Sequence, residues 1–515
     1  MNFTPLARPY FALRRRAILE WTASRQGIER AQMRELRSLL QQARDTEAGR
    51  RYGFAEILLS PDPARAFAAA VPVAGYEDVR PDIMRMVMGE RDILWPGRTL
   101  RFAQSSGTSG GKSKYIPITD AALHRNHYAG ASDAVAFYLG MNPHSRLFGG
   151  RSFILGGSYA NEVANLPPDV RVGDLSATLI AEINPLVNLF RVPDRRTALM
   201  ADWDKKLPAL VEASLHADIT NISGVPSWFM TVIEKVIERA GANTIHDVWP
   251  NLEVFFHGGI SFAPYREQYR RLTDPRRMHY VENYNASEGF FAAQDTPDAE
   301  AGMLLLLDRG IYYEFRPLDG GEAVGAGEVE QGRTYELLVS SCNGLWRYSP
   351  GDTVRIESAV PLRISVAGRT KSYINAFGEE LMVHNAEAAM AAACRTHGCE
   401  VADYTAAPVY ARADGSRGRH QWLVEWRREP ASVTAFAETL DRELQRVNSD
   451  YAAKRAGGIF LDGPEVRTAR PGLFETWLAQ TGKLGGQRKV PRLSNSRELM
   501  DRLLEMNNSI SDIQK

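Results

Sequence analysis

The chain has 515 residues, of which 44% are hydrophobic and 24% charged, and its 62 basic side chains balance 62 acidic ones at a formal net charge of +0. This length exceeds the size at which a single hydrophobic core keeps growing, so we expect more than one domain. The balanced charge gives no reason to expect nucleic acid or a membrane surface as a partner, and the cysteine content, three residues in all, excludes a disulfide framework.

No apolar run in the sequence approaches the roughly 20 residues that a membrane helix needs. The first residues, MNFTPLARPYFALRRRAILEW, carry arginines where a signal peptide requires an apolar core. Secretion is therefore disfavoured, and we expect a cytoplasmic protein.

The elements, taken in chain order, predict an α/β fold in two domains. Residues 11–48 have apolar positions at helical spacing, which predicts one or two helices. In the long middle, short β-rich runs alternate with helical stretches, a pattern typical of largely parallel sheets. Between about 310 and 368, short strands separated by Gly, Pro and Asp turns indicate a small β-subdomain. The remainder has the pattern of a small α+β domain, so we predict an N-terminal domain at 1–368 and a C-terminal domain at 369–515.

The stretch SSGTSGGKSKYIPIT, residues 105–119, resembles a phosphate-binding loop but has three residues between Gly107 and Gly111, where the Walker pattern needs four. Glycines still let the backbone approach an anion closely, and hydroxyl and N–H groups donate hydrogen bonds to phosphate oxygens. The sequence therefore favours a phosphate site over a plain glycine-rich turn. Its candidate ligands are Ser105, Ser106, Gly107, Thr108 and Ser109.

The segment ENYNASEGFFAAQ, residues 282–294, places Asn285, Ser287 and Glu288 beside a glycine, after a stretch that predicts a strand. A carboxylate here can hold Mg²⁺, which near ATP is usually bound by one or two carboxylates together with the phosphates. A helix N-terminus with Glu288 near its positive end explains the same residues equally well. The motif alone leaves both interpretations open.

Asp352 follows a Pro-Gly turn at the predicted start of a strand, where a carboxylate can accept hydrogen bonds from both hydroxyl groups of a ribose. A turn aspartate that bonds its own backbone is the commoner meaning of Gly-Asp. Upstream, Gly258 and Gly259 end the apolar strand VFFHGG, where an adenine ring can lie against bare backbone. Close packing between strands needs the same glycines.

The order of these features resembles the adenylate-forming superfamily, which includes acyl-CoA ligases, luciferases and peptide-synthetase adenylation domains. The segment GRTKSYINAFGEELMVHNAEAA is similar to its hinge motif. Within the superfamily the chain most resembles the GH3 family of acyl acid amido synthetases, and we expect a bacterial member. The similar stretches, which span roughly 105–493 in the family's order, are SSGTSGGKSKYIP, VWPNLEVFFHGG, YNASEG, IYYEFRPLDGGE, YELLVSSCNGLWRYSPGD and GLFETWLAQTGKLGGQRKVPRL.

The resemblance implies a two-step reaction. A carboxylate attacks the α-phosphate of ATP to give an acyl-adenylate and pyrophosphate, and an amine, expected to be an amino acid, then displaces AMP to form an amide. The resemblance also implies ATP and Mg²⁺ as cofactors, small-molecule substrates as partners, and a mobile C-terminal domain that acts as a lid. We expect a monomer.

The resemblance assigns roles to the motif residues. The hydroxyl-rich loop would hold the phosphates, Glu288 would bind Mg²⁺, and Asp352 would bind the ribose. Tyr284 and its neighbours would lie beside adenine or the α-phosphate. The full set expected around ATP is Ser105, Ser106, Gly107, Thr108, Ser109, Gly258, Gly259, Asn283, Tyr284, Asn285, Ser287, Glu288, Asp352 and Arg369, with Ser106, Glu288 and Lys489 as catalytic residues.

The C-terminal domain is expected to supply a cation during adenylation. Lys489, in GGQRKVPR, matches the lysine of the GQYKTPR-like family motif, although an exposed lysine in a basic loop explains it too. The family also implies rotation of this domain about Arg369. The sequence departs from plant-type members at GEEL, residues 378–381, so the roles of hinge lysines do not transfer. It departs again where the phosphate loop continues KSKYIP instead of KPK.

Acyl specificity is expected between about 120 and 230. Trp228, Phe229 and Tyr159 can wall an aromatic or aliphatic acid, although core packing is the better interpretation of these residues. His124 and His127, three residues apart on a predicted helix, lack a third metal ligand, so we expect them on a surface helix face.

Two other functions stay open at this point. One is an acyl-CoA ligase on the same scaffold, which differs only in the nucleophile of the second step. The other is a protein that binds a nucleotide and catalyses nothing. The combination of Ser106, Glu288, Asp352 and Lys489 argues against the second alternative, because a binder does not need all four.

Overall fold

We describe a computed structural model of the chain. It describes residues 2–105, 114–159, 163, 165–259, 262, 265–369, 373–374, 376, 381–409, 418–448, 451–452, 455, 461–481, 490–494 and 496–508.

The chain divides into two compact units. The first contains the described residues of 2–259 and 270–366, and the second contains those of 262–269 and 367–508. The break between Val366 and Ala367 lies close to the boundary at Arg369, which stays a prediction. The sequence pattern gave no sign that a short middle segment, 265–269, belongs with the C-terminal unit.

The first unit contains most of the helices among the described residues. A π-helix (Ala122–His127) precedes α7, and α13 (Arg266–Leu272) runs from one unit into the other. The α-helices before α13 are α1 (Thr4–Thr22), α2 (Arg25–Ala43), α3 (Glu47–Arg51), α4 (Phe54–Leu59), α5 (Pro63–Ala70), α6 (Tyr76–Val87), α7 (Tyr128–Met141), α8 (Leu175–Glu182), α9 (Pro185–Asn188), α10 (Arg195–Ala198), α11 (Trp203–Leu215) and α12 (Pro226–Ala240).

The strands up to residue 369 form a small sheet and a large one. The small sheet has the order β2-β1-β4, and the large sheet has the order β12-β11-β13-β14-β15-β10-β9-β8-β7-β6-β3-β5. These strands are β1 (Arg101–Ser105), β2 (Lys114–Pro117), β3 (Arg151–Ile154), β4 (Arg171–Gly173), β5 (Arg191–Val192), β6 (Ile219–Gly224), β7 (Val254–Gly258), β8 (His279–Ala286), β9 (Gly289–Ala293), β10 (Met303–Leu305), β11 (Ile311–Pro317), β12 (Val324–Gly325), β13 (Thr334–Ser341), β14 (Asp352–Ala359) and β15 (Leu362–Arg369).

The large sheet has two halves of different kind. In the parallel half, β5, β3, β6, β7 and β8 pair parallel to one another. From β8 onward the pairs β8–β9, β9–β10, β10–β15, β11–β13 and β13–β14 are antiparallel, and we call β9–β15 the antiparallel half. The β-rich segment that the sequence indicated therefore extends the same sheet as the parallel strands.

Local sequence explains the parallel half. The run Val254–His257 of β7 is buried along its whole length, as expected of a parallel strand covered on both faces. Helix α12 connects β6 to β7; it begins with Pro226 in its first turn and ends at Gly241, whose φ of +63° favours glycine. Its apolar face, including the fully buried Phe229, packs towards β3 and β7.

The second unit is an α+β arrangement, as the sequence analysis predicted. A three-stranded sheet has the order β18-β19-β20, and a two-stranded sheet joins β16 to β17. The core contains Tyr404, Trp422 and Phe436. Its elements are β16 (Tyr373–Ile374), β17 (Leu381–Met382), α14 (Val383–His397), β18 (Glu400–Val409), β19 (Arg419–Arg428), α15 (Val433–Val447), β20 (Glu465–Ala469), α16 (Leu473–Gln480) and α17 (Glu498–Asn508).

Within the described part of the chain, no helix has both the length and the apolar character needed to cross a membrane.

Candidate functional site

A cavity of about 160 Å³ lies at the carboxyl-terminal ends of β3, β6, β7 and β8. This edge of a parallel sheet is where ligands bind in open α/β folds. Most of the wall is apolar, with Leu155, Leu179, Ile180, Val225 and Trp228, and the polar lining includes Ser223, Asn283 and Asn285. The cavity therefore suits a largely apolar group that carries a polar end.

Two glycines predicted to face a nucleotide line this cavity. Gly258 ends β7 directly opposite Asn283 of β8, and a side chain at Gly258 would collide with the Asn283 carbonyl oxygen. Gly259 follows with φ of +81°, a conformation that side-chain-bearing residues rarely adopt. Close strand packing explains Gly258 fully, and both glycines leave bare backbone at the cavity wall.

The residues considered for acyl recognition separate into two groups. Trp228 lines the cavity, whereas Phe229 is 0% exposed and packs edge-on against Phe153 with ring centroids 5.2 Å apart. The Tyr159 hydroxyl donates to the Ala177 carbonyl oxygen at 3.3 Å. Core packing is thus the observed environment of Phe229, while Trp228 forms part of the cavity wall.

The segment from Asn283 to Glu288 forms the end of β8 and the turn of a β-hairpin. The ladder pairs Asn283 with Ala293 and Asn285 with Phe290, with a bulge between Tyr284 and Asn285. Ser287 and Glu288 form the turn, and the Glu288 side chain is 6% exposed. The alternative of a helix N-terminus at Glu288 is therefore wrong, because the glycine after Glu288 starts a second strand.

Two asparagines from other parts of the first unit hold this hairpin. Asn126, in the π-helix, accepts from the Phe290 amide at 2.7 Å and donates to the Phe290 carbonyl oxygen at 3.2 Å. Asn343 donates to the Glu288 carbonyl oxygen at 3.2 Å. The sequence analysis missed both residues, since an isolated asparagine in a helix or loop carries no signal of a distant backbone partner.

Tyr284 and Asp352, which the sequence assigned to one site, are in direct contact. The Tyr284 hydroxyl donates to Asp352 Oδ2 at 2.5 Å, and both side chains are buried. Asp352 is the first residue of β14 and follows Gly351, whose φ is +86°. The glycine allows the tight turn that brings the carboxylate to the tyrosine, 68 residues away in sequence.

His127 lies against the same hairpin. It is 1% exposed, so the expectation of a surface helix face is wrong for this residue, whereas His124 is exposed. The two histidines lie on a π-helix, whose wider turn separates residues that an α-helix would place on one face. Burial lowers the pKa of His127 to about 4, although the neighbouring Asn285 side chain acts in the opposite direction.

A buried lysine holds the cavity wall next to β3. Lys206 is 2% exposed and donates to the carbonyl oxygens of Gly156, at 2.6 Å, and Met200, at 3.1 Å. Burial lowers its pKa to about 8, with Asp174 acting in the opposite direction. Because Gly156 lines the cavity, the hydrogen bond from Lys206 stabilises the cavity wall. No sequence signal distinguished it from the exposed Lys205.

Several predicted site residues lie outside the described residues. These are Ser106, Gly107, Thr108, Ser109 and Lys489. Ser105 ends β1 and Arg369 ends β15, but their side chains are also outside the description. The structure thus brings together Gly258, Gly259, Asn283 and Asn285 around the cavity and joins Tyr284 to Asp352.

The described residues fit a Mg²⁺ ion for which a nucleotide supplies some of the ligands. They contain no group of three or more His, Cys, Asp or Glu side chains placed to hold a metal ion. Glu288 supplies a single buried carboxylate at the hairpin turn. One carboxylate fits Mg²⁺ when phosphate oxygens and water complete its octahedral shell.

Two solved structures have a similar fold. The AtGH3.15 acyl acid amido synthetase in complex with 2,4-DB has a TM-score of 0.77 and 19% identity, with 96% of this chain and 95% of that chain covered. A 2-hydroxyisobutyryl-CoA ligase, solved in the postadenylation state with 2-HIB-AMP, has a TM-score of 0.61 and 15% identity over 94% of this chain and 92% of that one. These likenesses define the fold class, a large α/β unit followed by a smaller α+β unit.

Models of three family domains match the chain in order. The GH3 family N-terminal domain matches residues 21–278, the central domain matches 304–369, and the C-terminal domain matches 384–498. The chain belongs to the GH3 family.

Two curated relatives come from rice, Oryza sativa. Indole-3-acetic acid-amido synthetase GH3.8 of Oryza sativa subsp. indica is 24% identical over 510 residues, which covers 83% of this chain and 82% of the relative. Jasmonoyl--L-amino acid synthetase GH3.5 of Oryza sativa subsp. japonica is 23% identical and covers 84% of this chain and 87% of the relative.

Proposed function

We propose that the chain is an ATP-dependent ligase that activates a carboxylic acid as an acyl-adenylate and transfers the acyl group to an amine, most simply that of an amino acid. Membership of the GH3 family over all three domain models carries this proposal. The relatives named above, an indole-3-acetic acid-amido synthetase and a jasmonoyl--L-amino acid synthetase, support the same reaction type.

The chemistry explains why ATP is needed. Hydroxide is a poor leaving group, so a carboxylate and an amine do not condense at a useful rate. In the first step a carboxylate oxygen bonds to the α-phosphorus while the bond to the bridging oxygen breaks and pyrophosphate leaves. In the second step the amine nitrogen bonds to the acyl carbon, loses a proton, and AMP leaves with the electron pair of the broken C–O bond.

Each candidate residue has a separate role in this reaction. Asp352 would accept hydrogen bonds from the ribose hydroxyls, with its carboxylate oriented by the Tyr284 hydroxyl at 2.5 Å. Glu288 would hold Mg²⁺, which supplies positive charge near the departing pyrophosphate. Asn283 and Asn285 would face the acid and the α-phosphate from the cavity wall. Ser105, Ser106, Gly107, Thr108, Ser109, Ser287, Arg369 and Lys489 keep the roles that the family resemblance implies.

The volume of the cavity matches a small acyl group. An apolar cavity of about 150 Å³ in another protein holds benzene, and the cavity here measures about 160 Å³. We therefore expect a ring-sized or short aliphatic acyl group, with the carboxylate at the polar end near Asn285 and the apolar part towards Trp228.

A CoA thioester product is the main alternative, because a CoA ligase shares the fold. Purified protein with ATP, Mg²⁺ and an acid panel (benzoate, phenylacetate, hexanoate, indole-3-acetate and jasmonate) would be supplied either with the common amino acids or with CoA. We expect mass spectrometry to find an acyl-amino acid and no acyl-CoA. An acyl-CoA product would replace the proposed acceptor, and ATP binding without any product would favour the non-catalytic alternative.

The bacterial origin, the cytoplasmic location, the monomeric state and the rotation of the C-terminal domain stay predictions from the sequence.

A further inference from the structure

His127 and Asn285 bury polar atoms that form no hydrogen bond of good geometry with any residue that the structure describes. Among the described residues, nothing forms a hydrogen bond of good geometry with either ring nitrogen of His127 or with Oδ1 of Asn285, and all three atoms are buried. Buried polar atoms without partners are rare in folded proteins and call for a specific explanation.

Hydrogen bonds between the π-helix and the β8–β9 hairpin bring the side chains of His127 and Asn285 close to each other. Asn126 binds both backbone groups of Phe290, and Phe290 pairs with Asn285 in the hairpin ladder. The residue after Asn126 is His127, so the end of the π-helix and the end of β8 are fixed against each other. Asn285 is also the polar group whose side chain acts on the protonation of His127.

The orientation of the Asn285 carboxamide follows from this placement. Asn285 lines the cavity, yet its Oδ1 atom is buried. A carboxamide is planar, with its oxygen and its NH₂ group on opposite sides. An oxygen directed to the interior therefore turns the NH₂ group towards the cavity.

We propose that His127 is a positioning residue for the acid: its neutral imidazole donates to Asn285 Oδ1 and holds the Asn285 NH₂ group where it donates a hydrogen bond to the substrate carboxylate. The inference rests on the proposed function, since it needs an acid in the cavity. The His127–Asn285 bond forms when the acid is bound, as catalytic hydrogen bonds often shorten only in the substrate complex.

A neutral imidazole suits this role. Because burial keeps the pKa of His127 at about 4, the ring is uncharged at neutral pH and carries one N–H that can donate. A charged imidazolium at this depth would attract the carboxylate itself and would not depend on Asn285.

The test compares four variants with the wild type: His127→Leu, His127→Gln, Asn285→Ala and the double variant His127→Leu/Asn285→Ala. His124→Leu, at the exposed histidine of the same helix, is the matched control. The probe is whichever acid of the panel above gives the fastest pyrophosphate release. Thermal unfolding of each protein reports on the fold independently of activity.

We expect His127→Leu to raise the KM for the acid about tenfold, because Asn285 is then no longer held and its hydrogen bond to the charged carboxylate is lost. The KM for ATP should stay within about twofold of the wild type. Its thermal midpoint should not fall, since the substitution removes two buried nitrogens that have no hydrogen-bond partner in the described part of the chain. His127→Gln should recover most of the acid affinity through its side-chain amide. The double variant should be no worse than Asn285→Ala, because both changes remove one interaction.

A wild-type KM for the acid in His127→Leu would overturn the positioning role. So would effects that add in full in the double variant, or a fallen midpoint accompanied by equal changes in both KM values, since these indicate a merely structural residue. Absence of acid-dependent pyrophosphate release in the wild type would overturn the proposed function and this inference together.

Discussion

The two halves of the large sheet differ in what surrounds their buried polar groups, although each half contains such an atom without a hydrogen-bond partner among the described residues, for example Thr353 Oγ1 in the antiparallel half. In the antiparallel half, Arg347 and Glu314 form a buried ion pair, and Arg347 also donates to the carbonyl oxygens of Ala68 and Val71 at 2.8 and 2.9 Å. At the end of the parallel half, His127 and Asn285 bury polar atoms that have no hydrogen-bond partner among the described residues, and Asn285 lines a cavity. Because the cavity lies at the end of the parallel half, we infer that a ligand completes this half and that the antiparallel half is the scaffold.

The largest expected effect is a loss of stability when the buried ion pair of the antiparallel half is broken. Arg347→Met leaves the Glu314 carboxylate buried without its partner, so the free energy of unfolding should fall by about 3 to 5 kcal/mol. The Arg347 and Glu314 side chains are only 9% and 5% exposed, whereas Arg333, which pairs with Asp319 at the surface, is the matched control. Urea unfolding should show little change for Arg333→Met. Equal effects of the two substitutions would remove the distinction between scaffold and surface pairs.

A smaller effect is the dependence of stability on pH that the buried His127 causes at the end of the parallel half. The pKa of His127 lies at about 4 in the folded chain against an ordinary value of 6.5. Below pH 6.5 the His127 imidazole is protonated in the unfolded chain but stays neutral in the folded chain. The free energy of unfolding therefore falls as the pH decreases to about 4, and the loss then levels off. The shift corresponds to about 3 kcal/mol.

Urea unfolding from pH 7 to pH 4 measures this contribution as a difference between wild type and His127→Leu. We expect the stability of the variant to fall by about 3 kcal/mol less over that range. His124→Leu should follow the wild type, because His124 is exposed. Parallel curves for wild type and His127→Leu would mean that the imidazole is not held neutral.

The smallest expected effect tests how the two halves meet at the Tyr284–Asp352 hydrogen bond. Tyr284→Phe removes one bond to a carboxylate, worth about 1.5 kcal/mol, so the KM for ATP should rise about tenfold with the KM for the acid unchanged. Tyr280→Phe on the same strand is the control, since the Tyr280 hydroxyl bonds to Thr273. A change in the acid KM instead would place Tyr284 on the acyl side of the site.

Much of the fold followed from local sequence. The alternation of short β-rich runs with helical stretches predicted a largely parallel sheet, and the Pro-Gly turn before Asp352 predicted the start of β14, because these patterns act over short stretches of chain. The contact between Tyr284 and Asp352 depends on the pairing of distant strands, which no local pattern specifies.

Three features of the site could not be predicted for related reasons. Glu288 fitted a helix N-terminus as well as a hairpin, and only the pairing of β8 with β9 decides between them. His127 was misplaced because its spacing from His124 was interpreted for an α-helix, whereas the segment is a π-helix. Lys206 is a polar residue buried by its tertiary contacts with backbone carbonyl groups, which leave no trace in sequence.

Acid-dependent exchange of labelled pyrophosphate into ATP, in the wild type and in Glu288→Ala and Lys489→Ala, tests the central claim most directly. The account predicts exchange in the wild type only when a suitable acid is present, and a loss of at least about a hundredfold in both variants, with ATP binding largely retained in Lys489→Ala. Exchange that needs no acid, or that proceeds equally in all three proteins, would contradict it.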